Sequence, residues 1–170
     1  GQINYQIPPG TATGQASIFV SNSAGIFSSG SIQVGRVMPS LFAADASGRG
    51  FAAGQIQRVR NNASVIEPIV RFDTAQNKLV GVPIDLGPTT DQVYLVLYGT
   101  GLRFRSALTA VKATVGGSTV DVAYAGTQND YVGLDQINLL LPRNLIGRGE
   151  VDVALTVDGL AANAVRVNVK

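Results

Sequence analysis

The sequence contains no cysteine, no histidine and no tryptophan, and only 14% of its 170 residues are charged. Without cysteine and histidine the chain lacks disulfides, thiol nucleophiles, histidine-based catalytic triads and the common zinc ligands. No apolar run is long enough to cross a bilayer. The eleven acidic residues are spread along the chain and show no converging pair. We therefore expect no enzymatic activity, no catalytic residues, no cofactor, no metal site and no membrane insertion.

Basic residues are few and scattered, and the formal net charge is only +2. The nearest approach to clusters is Arg58 with Arg60 and Arg103 with Arg105, each pair at strand spacing. A solvated strand face explains this spacing better than a nucleic-acid site, because no stripe of aromatic side chains is interleaved with the two pairs. We expect no nucleic-acid partner. The sequence also begins without methionine or a signal peptide, which leads us to expect a processed product or a piece of a longer protein.

The residues that are abundant are those of β-strands and turns. Val, Ile, Thr and Ala fill the periodic segments, and Gly, Pro, Asn and Ser separate them. Residues 151–157 and 165–169 alternate between apolar and polar side chains and are joined through Asp158-Gly159, a strong hairpin signal. The segment "VYLVLYGTG" is apolar on both faces, which is typical of a central strand. These patterns predict an all-β fold, with an immunoglobulin-like β-sandwich over residues 92–170.

The opening of the chain repeats part of this sandwich. "QIN" and a proline recur at the same spacing, and two strand-like segments follow in both places. The matched segments are residues 2–8 with 136–142, 14–25 with 149–159, and 30–34 with 165–169. Residues 1–35 therefore resemble the last three strands of a second sandwich. In this interpretation Asn4 and Asn138 have a shared structural role.

No charged residue precedes Arg36. Because natural sheet edges are usually protected by charges or cover, this segment must be buried against residues 37–91, a neighbouring subunit or upstream sequence. The apolar side chains on which such burial depends are candidate assembly residues: Ile3, Tyr5, Ile7, Ile18, Val20, Ile32 and Val34.

Residues 37–91 read less clearly. Residues 51–59 favour a strand over a helix, and "EPIVRFD" and "KLVGVPIDLG" read as short strands whose prolines are typical of sheet edges. We expect a strand-rich, incomplete sandwich module over residues 1–91 and the complete sandwich over residues 92–170.

Two groups of residues are candidate calcium ligands: Asp130 and Asp135 beside Asn129, and Asp73 with Asn77. Neither has the spacing of a known calcium loop, which favours solvated loop acids. Lys112 is the best-placed lysine for an internal isopeptide bond, but no acidic partner is evident. Residues 62–64 form an Asn-Ala-Ser glycosylation motif, a triplet that is frequent by chance.

The segments "GQINYQIP", "PSLF", "PIDLGPTTDQVYLVLYGTGLR", "VGLDQINLLLP" and "GRGEVDVALTVDG" together resemble a C-terminal module repeated across large secreted proteins of acidobacteria. The last eighty residues are also similar to immunoglobulin-like IPT/TIG domains, with "YGTGL" at their glycine turn. The resemblance implies an exported, extracellular protein and no established activity.

Two functions follow as expectations. In the first, the chain is an extracellular structural or adhesive protein, such as a filament subunit that assembles by inter-subunit strand complementation. In the second, it is a passive carbohydrate- or protein-binding or spacer module of a larger secreted protein. The uncharged opening segment favours the first, with copies of the chain or adjacent modules as partners.

Overall fold

The computed structural model describes residues 3, 5–25 and 27–170. The chain divides into two compact units, residues 1–36 and 37–170. The described residues form β-strands joined by turns and two short 3-10 helices, at Leu108–Ala110 and Arg143–Leu145. The predicted all-β fold is confirmed. No helix in this described part is long and apolar enough to span a membrane.

The strands are numbered in chain order. The first unit contains β1 (Gly14–Ser21) and β2 (Phe27–Val34). The strands described in the second unit are β3 (Ser40–Leu41), β4 (Gly54–Arg60), β5 (Ala63–Pro68), β6 (Val70–Asp73), β7 (Lys78–Gly81), β8 (Gln92–Thr100), β9 (Val111–Val115), β10 (Ser118–Thr127), β11 (Asp135–Leu140), β12 (Gly149–Val157), β13 (Leu160–Ala161) and β14 (Val165–Val169).

The second unit is a β-sandwich whose two sheets share one strand. The larger sheet has the order β5-β4-β8-β11-β10, with β3 also paired to β8. The other sheet contains β9 and β12, with β13 and β14 paired to β12. Residues 118–120 of β10 pair with β9, whereas residues 121–127 pair with β11, with a register shift between Val122 and Tyr124. This irregularity lets one strand pass from one sheet to the other.

The sandwich core is filled by alternating side chains, as the sequence predicts. Ile137, Leu139 and Leu141 of the "QINLLLP" segment are buried, and Val153 and Val157 lie in the same cluster. The strand "VYLVLYGTG" is β8, which pairs with β11 on one side and with β4 on the other. It is therefore the central strand that its apolar pattern indicates.

Residues 37–91 belong to this same sandwich. Leu41, Ile56, Ile69 and Leu86 are buried in the core cluster that residues 92–170 form. The division between compact units therefore lies after residue 36, and not after residue 91 as we expected. The reason is the long-range pairing of β4 with β8, which adds part of the expected first module to the central strand of the second.

Residues 50–52 and 84 cover the outer edge of β14. The amide of Ala52 donates to the carbonyl of Arg166 at 2.9 Å, and the amide of Ile84 donates to the carbonyl of Asn168 at 2.8 Å. The amide of Lys170 donates to the carbonyl of Ile84 at 2.8 Å. The last strand is thus hydrogen-bonded along both edges and is no longer a free sheet edge.

The chain enters and leaves the second unit at opposite ends of the sandwich. At entry, the Met38 amide donates to the carbonyl of Gly101, and β3 pairs with the last residues of β8. At exit, the ammonium group of Lys170 lies 3.3 Å from the carboxylate of Asp85, in the loop that leads to the start of β8. The entry and exit points are therefore separated by the length of β8.

Candidate assembly surface

The first unit contains a two-stranded antiparallel hairpin, β1–β2. Its register places Gly14 opposite Val34, Ala16 opposite Ile32 and Ile18 opposite Gly30. Residues directly opposite each other in an antiparallel pair share a face of the sheet, and alternate residues along a strand share a face too. Ala16, Ile18, Val20, Ile32 and Val34 consequently lie on one face, which we call the apolar face.

The apolar face collects four of the candidate assembly residues. Val34 is buried, Ile18 and Ile32 are half-buried, and Val20 is exposed. The opposite face carries serine and glutamine side chains, which are exposed, together with Phe19, which is 69% exposed. The hairpin is therefore amphipathic, and its apolar face retains solvent-accessible area.

The other three candidates lie before the hairpin. Ile3, Tyr5 and Ile7 are exposed at 64%, 61% and 36%, and residues 5–9 form no strand. The first of the three expected strands is therefore absent over these residues, while Gln2 and Asn4 of the "QIN" motif lie outside the described residues. The proline pair that follows ends in a turn, closed by the Thr11 amide donating to the Pro8 carbonyl at 3.2 Å.

The hairpin repeats the register of β12–β14. In the second unit Gly149 lies opposite Val169, Val151 opposite Val167 and Val153 opposite Val165. Aligning the two segments matches these three pairs with the three pairs of β1–β2 given above. Gly14 and Gly149, which begin the matched strands, also share a positive φ, a conformation that favours glycine. The two later strands of the predicted repeat thus have the same local structure.

The surroundings of the two hairpins differ. In the second unit β12 pairs with β9 on its other edge, and its apolar face packs in the sandwich core. Among the described residues, β1 and β2 pair only with each other, so both outer edges lack strand partners. An isolated two-stranded hairpin is at best marginally stable in water, because it buries too little apolar surface. Among the described residues, the outer edges of this hairpin are therefore available to pair with another strand.

The acidic candidates have structural partners. Asp135 is fully buried, where it accepts hydrogen bonds from the amide of Leu102 at 2.9 Å and from Nε of Arg103 at 2.8 Å. Asp130 accepts a hydrogen bond from the side chain of Gln128 at 2.7 Å. Within the described part of the chain, no three acidic, histidine or cysteine side chains are grouped as a metal site. Asp135 is thus a buried structural carboxylate rather than a solvated loop acid.

Asp73 closes a turn. Its carboxylate accepts hydrogen bonds from the amides of Ala75 and Gln76, at 3.0 and 3.1 Å, and these bonds lower the pKa of Asp73. Asn77 follows with a positive φ, as expected for asparagine in a tight turn. The arrangement explains both residues structurally.

Arg58 and Arg60 of β4 form ion pairs with acidic side chains near the same sheet. Arg58 and Arg60 both donate hydrogen bonds to Asp91, and Arg58 also binds Glu67. The bonds from Arg60, with those from Arg58, hold the pKa of Asp91 below its usual range. Arg58 is only 11% exposed, so this cluster is a partly buried ion-pair network rather than a solvated strand face.

The remaining candidates occupy exposed positions. Lys112 is exposed on β9 and lies opposite Thr156 of β12, a pairing that offers no carboxylate or amide for an isopeptide bond. Asn62 occupies the exposed turn between β4 and β5 with a positive φ.

Sequence reasoning missed Asn163, whose side chain joins distant segments. Its Nδ2 donates to the carbonyls of Leu41 and Gly48 at 2.9 and 2.8 Å, and its Oδ1 accepts from the Leu41 amide and the Ser40 hydroxyl. These bonds fix β3 against the segment before β14. A single asparagine among small residues gives no pattern from which this role could be predicted.

No protein-family model matches the chain, and neither the curated proteins nor the solved structures searched give a match.

Proposed function

We propose that this protein is a structural component of an extracellular assembly, in which the β1–β2 hairpin completes a β-sandwich of the same kind in another copy of the chain. The observation that carries the proposal is the shared register of β1–β2 and β12–β14. In the second unit β9 pairs with the other edge of β12, whereas within the described residues β1 and β2 have no strand partner besides each other.

The driving force is the burial of the apolar face. Fully burying a large aliphatic side chain contributes about 1.5–3 kcal/mol, and Ile18, Val20 and Ile32 are already partly covered. Their further burial contributes roughly 1 kcal/mol each. New ladder hydrogen bonds at the free edge of β1 add to this contribution. Since residues 1–35 carry no charge, desolvation of the segment removes no ion from water.

The contact is heterologous, because the hairpin of one copy meets a different surface on the next. In the second unit the position that β1–β2 would take is filled by β12–β14, whose core side chains Val153 and Val157 are fully buried. Assembly between copies therefore requires strand exchange. Repetition of such a contact gives a fibre unless the rotation closes a ring.

A second candidate is a spacer module in a chain of similar sandwiches. The observation that favours it is the position of the entry and exit points at opposite ends of the second unit. Modules with this geometry join end to end through short connections. The hairpin would then complete a preceding module of the same polypeptide, and a protein of this type would set the distance between other domains.

The extracellular location is supported by the resemblance to modules of secreted proteins. Because the chain has no cysteine, it forms no disulfides and does not depend on an oxidising environment. Its composition is therefore compatible with an extracellular location but does not indicate one.

The experiment is sedimentation velocity and negative-stain electron microscopy of the chain over a range of concentrations. We expect the native sequence to form concentration-dependent oligomers or filaments. Substitution I18D together with I32D places two carboxylates on the apolar face and should leave monomers. The matched control is S17D with S31D, which adds the same two charges on the opposite face and should leave association unchanged.

Circular dichroism of the variants separates loss of assembly from loss of folding, since the second unit supplies most of the strand signal. A native chain that remains monomeric at every concentration would contradict the filament proposal. A monomer whose β1–β2 amide hydrogens exchange rapidly with solvent would support the spacer candidate. Equal loss of association in the S17D/S31D control would show that the apolar face has no specific role.

A further inference from the structure

The larger sheet of the second unit has an outward face of unusual composition. Along β8 the side chains of Val93, Leu95 and Leu97 point into the core, so Tyr94, Val96 and Tyr98 point the other way. The opposing sheet of the sandwich packs on the core side. We call the opposite surface the outer face. Its members on the neighbouring strands follow from the pairing register: Gln55 and Gln57 on β4, Gln136, Asn138 and Leu140 on β11, and Tyr124 and Gly126 on β10.

The outer face is polar, aromatic and uncharged at its centre. Three of its side chains are tyrosines and four are glutamine or asparagine. The nearest charged residues are at its borders. Asp121 lies opposite Leu140 at the corner of β10, and the guanidinium group of Arg105 lies beside Gly126. A face of this kind offers aromatic surface and hydrogen-bonding groups without attracting ions of either sign.

Tyr124 lies flat on the sheet. Its hydroxyl donates to the carbonyl of Thr127 at 2.5 Å, only three residues ahead on the same strand. A Cβ added at Gly126 would lie 2.9 Å from the Tyr124 hydroxyl oxygen and 3.2 Å from its Cζ, so the ring extends along the strand over this glycine. The Tyr124 ring can pack against the sheet because residue 126 has no side chain. The geometry presents a ring face, rather than a ring edge, towards solvent.

Several amide side chains of the outer face are oriented by hydrogen bonds. Nε2 of Gln136 donates to Oδ1 of Asn138 at 2.8 Å, and Nε2 of Gln57 donates to Oγ of Ser64 at 3.1 Å. Within the described residues this leaves the Oε1 of Gln136, the Nδ2 of Asn138 and both polar atoms of Gln55 without hydrogen-bond partners. The free groups of Gln136 and Asn138 are thus held in position on the sheet, which reduces the side-chain entropy lost when a ligand binds.

We propose that the outer face binds an extended, uncharged polysaccharide. Sugar rings present apolar C–H faces that stack on tyrosine rings, and their hydroxyl groups both donate and accept hydrogen bonds, as the amides do. The four strands of the outer face span roughly 14 Å across the sheet, which accommodates a few sugar units of one chain. The lack of charge at the centre selects against anionic polymers. The outer face shares no residue with the apolar face of the hairpin, and it would give the proposed assembly its adhesive ligand.

The test is affinity electrophoresis of the full chain through gels that contain a soluble neutral polysaccharide, with one gel each for xylan, mixed-linkage β-glucan, galactomannan and amylose. Pull-down on insoluble cellulose and chitin extends the panel, and alginate serves as the anionic polymer. We expect retention by at least one neutral polymer and none by alginate. Y124A should weaken that retention about tenfold, because it removes the stacking surface.

The matched control is Y131A, which removes a tyrosine that is 71% exposed on the loop between β10 and β11 and is not one of the residues of the outer face. This variant should bind as the native chain does. N138D changes an amide to a carboxylate of the same shape and should also weaken binding, which keeps the test valid if Y124A fails to fold. Retention by none of the neutral polymers would overturn the proposal. So would stronger binding to alginate, or loss of binding in Y131A equal to that in Y124A.

Discussion

Replacement of Asp135 tests how the buried carboxylate stabilises the sandwich. Asp135 begins β11, has no exposed surface, and binds two groups of the loop that follows β8. Its Oδ2 accepts from the Leu102 amide and its Oδ1 from Nε of Arg103. The side chain of Arg103 is only 18% exposed, so removing the carboxylate leaves a guanidinium group that water reaches poorly.

The magnitude follows from these contacts. Removing one partner of a buried ion pair costs about 3–5 kcal/mol in the free energy of unfolding. Arg103 keeps a hydrogen bond to the Leu134 carbonyl at 3.0 Å and some solvent contact, which places D135A at the lower end, about 3 kcal/mol. D135N retains an acceptor for the Leu102 amide, and we expect it to cost about 2 kcal/mol.

Urea unfolding followed by circular dichroism measures these differences, with the dependence on urea unchanged if the native fold is kept. A double-mutant cycle with R103M isolates the pair, and we expect a coupling free energy of at least about 1 kcal/mol. The reasoning would be refuted if D135A cost less than about 1 kcal/mol, since the carboxylate would then have no important partner.

Two further predictions concern the second unit. G101A should destabilise it by at least about 1 kcal/mol more than G117A. Both glycines have φ of +77°, but only a Cβ at residue 101 would collide with the Met38 carbonyl. Equal unfolding midpoints of the two variants in urea would show that only the backbone conformation matters. The pKa of Asp91 is lowered in the folded state by its arginine partners, so its stabilising contribution is present above the unfolded pKa and is lost as the pH falls below about 4. D91N should therefore flatten the acid limb of a stability–pH curve, and an unchanged slope between native and variant would contradict the assignment.

The strands that the sequence predicts best are those with strict alternation and local partners. β12 and β14 repeat every second residue, and the turn between β12 and β13 at Asp158-Gly159 has positive φ at both positions. The repeat of this segment at residues 14–34 was found from the sequence, and its register proved identical. In such hairpins, period and turn chemistry determine which residues face each other.

The placement of residues 37–91 could not be predicted in the same way. β4 pairs with β8, whose partner residues lie some forty positions further along the chain, and no local pattern encodes that choice. The contacts that cover β14 are single bridges formed by Phe51 and Ile84, too short to show periodicity. Long-range pairing of this kind depends on the complete core, which explains why the division between units was misplaced.

The outer face could not be predicted from the sequence, for a different reason. Because β8 carries Tyr94, Val96 and Tyr98 on one side and leucines and valine on the other, the strand reads as apolar throughout. That pattern indicates a central strand, but it does not show that the tyrosine hydroxyl groups of one side lie among amide side chains of the neighbouring strands. Only the pairing register shows that Gln136 and Asn138 lie beside Val96 and Tyr98.

The entry and exit points at opposite ends of the sandwich determine how the second unit carries mechanical load. Tension applied at residue 37 and at Lys170 pulls β14 along its own axis, against β12 on one edge and the residue 50–52 and 84 bridges on the other. Hydrogen bonds in an antiparallel ladder lie perpendicular to the strands, so this force loads them together in shear and not one after another. Resistance under such load depends on the unfolding rate rather than on equilibrium stability. Under such a load the hydrogen bonds along β14 would have to break together, so the rate of forced unfolding would be low.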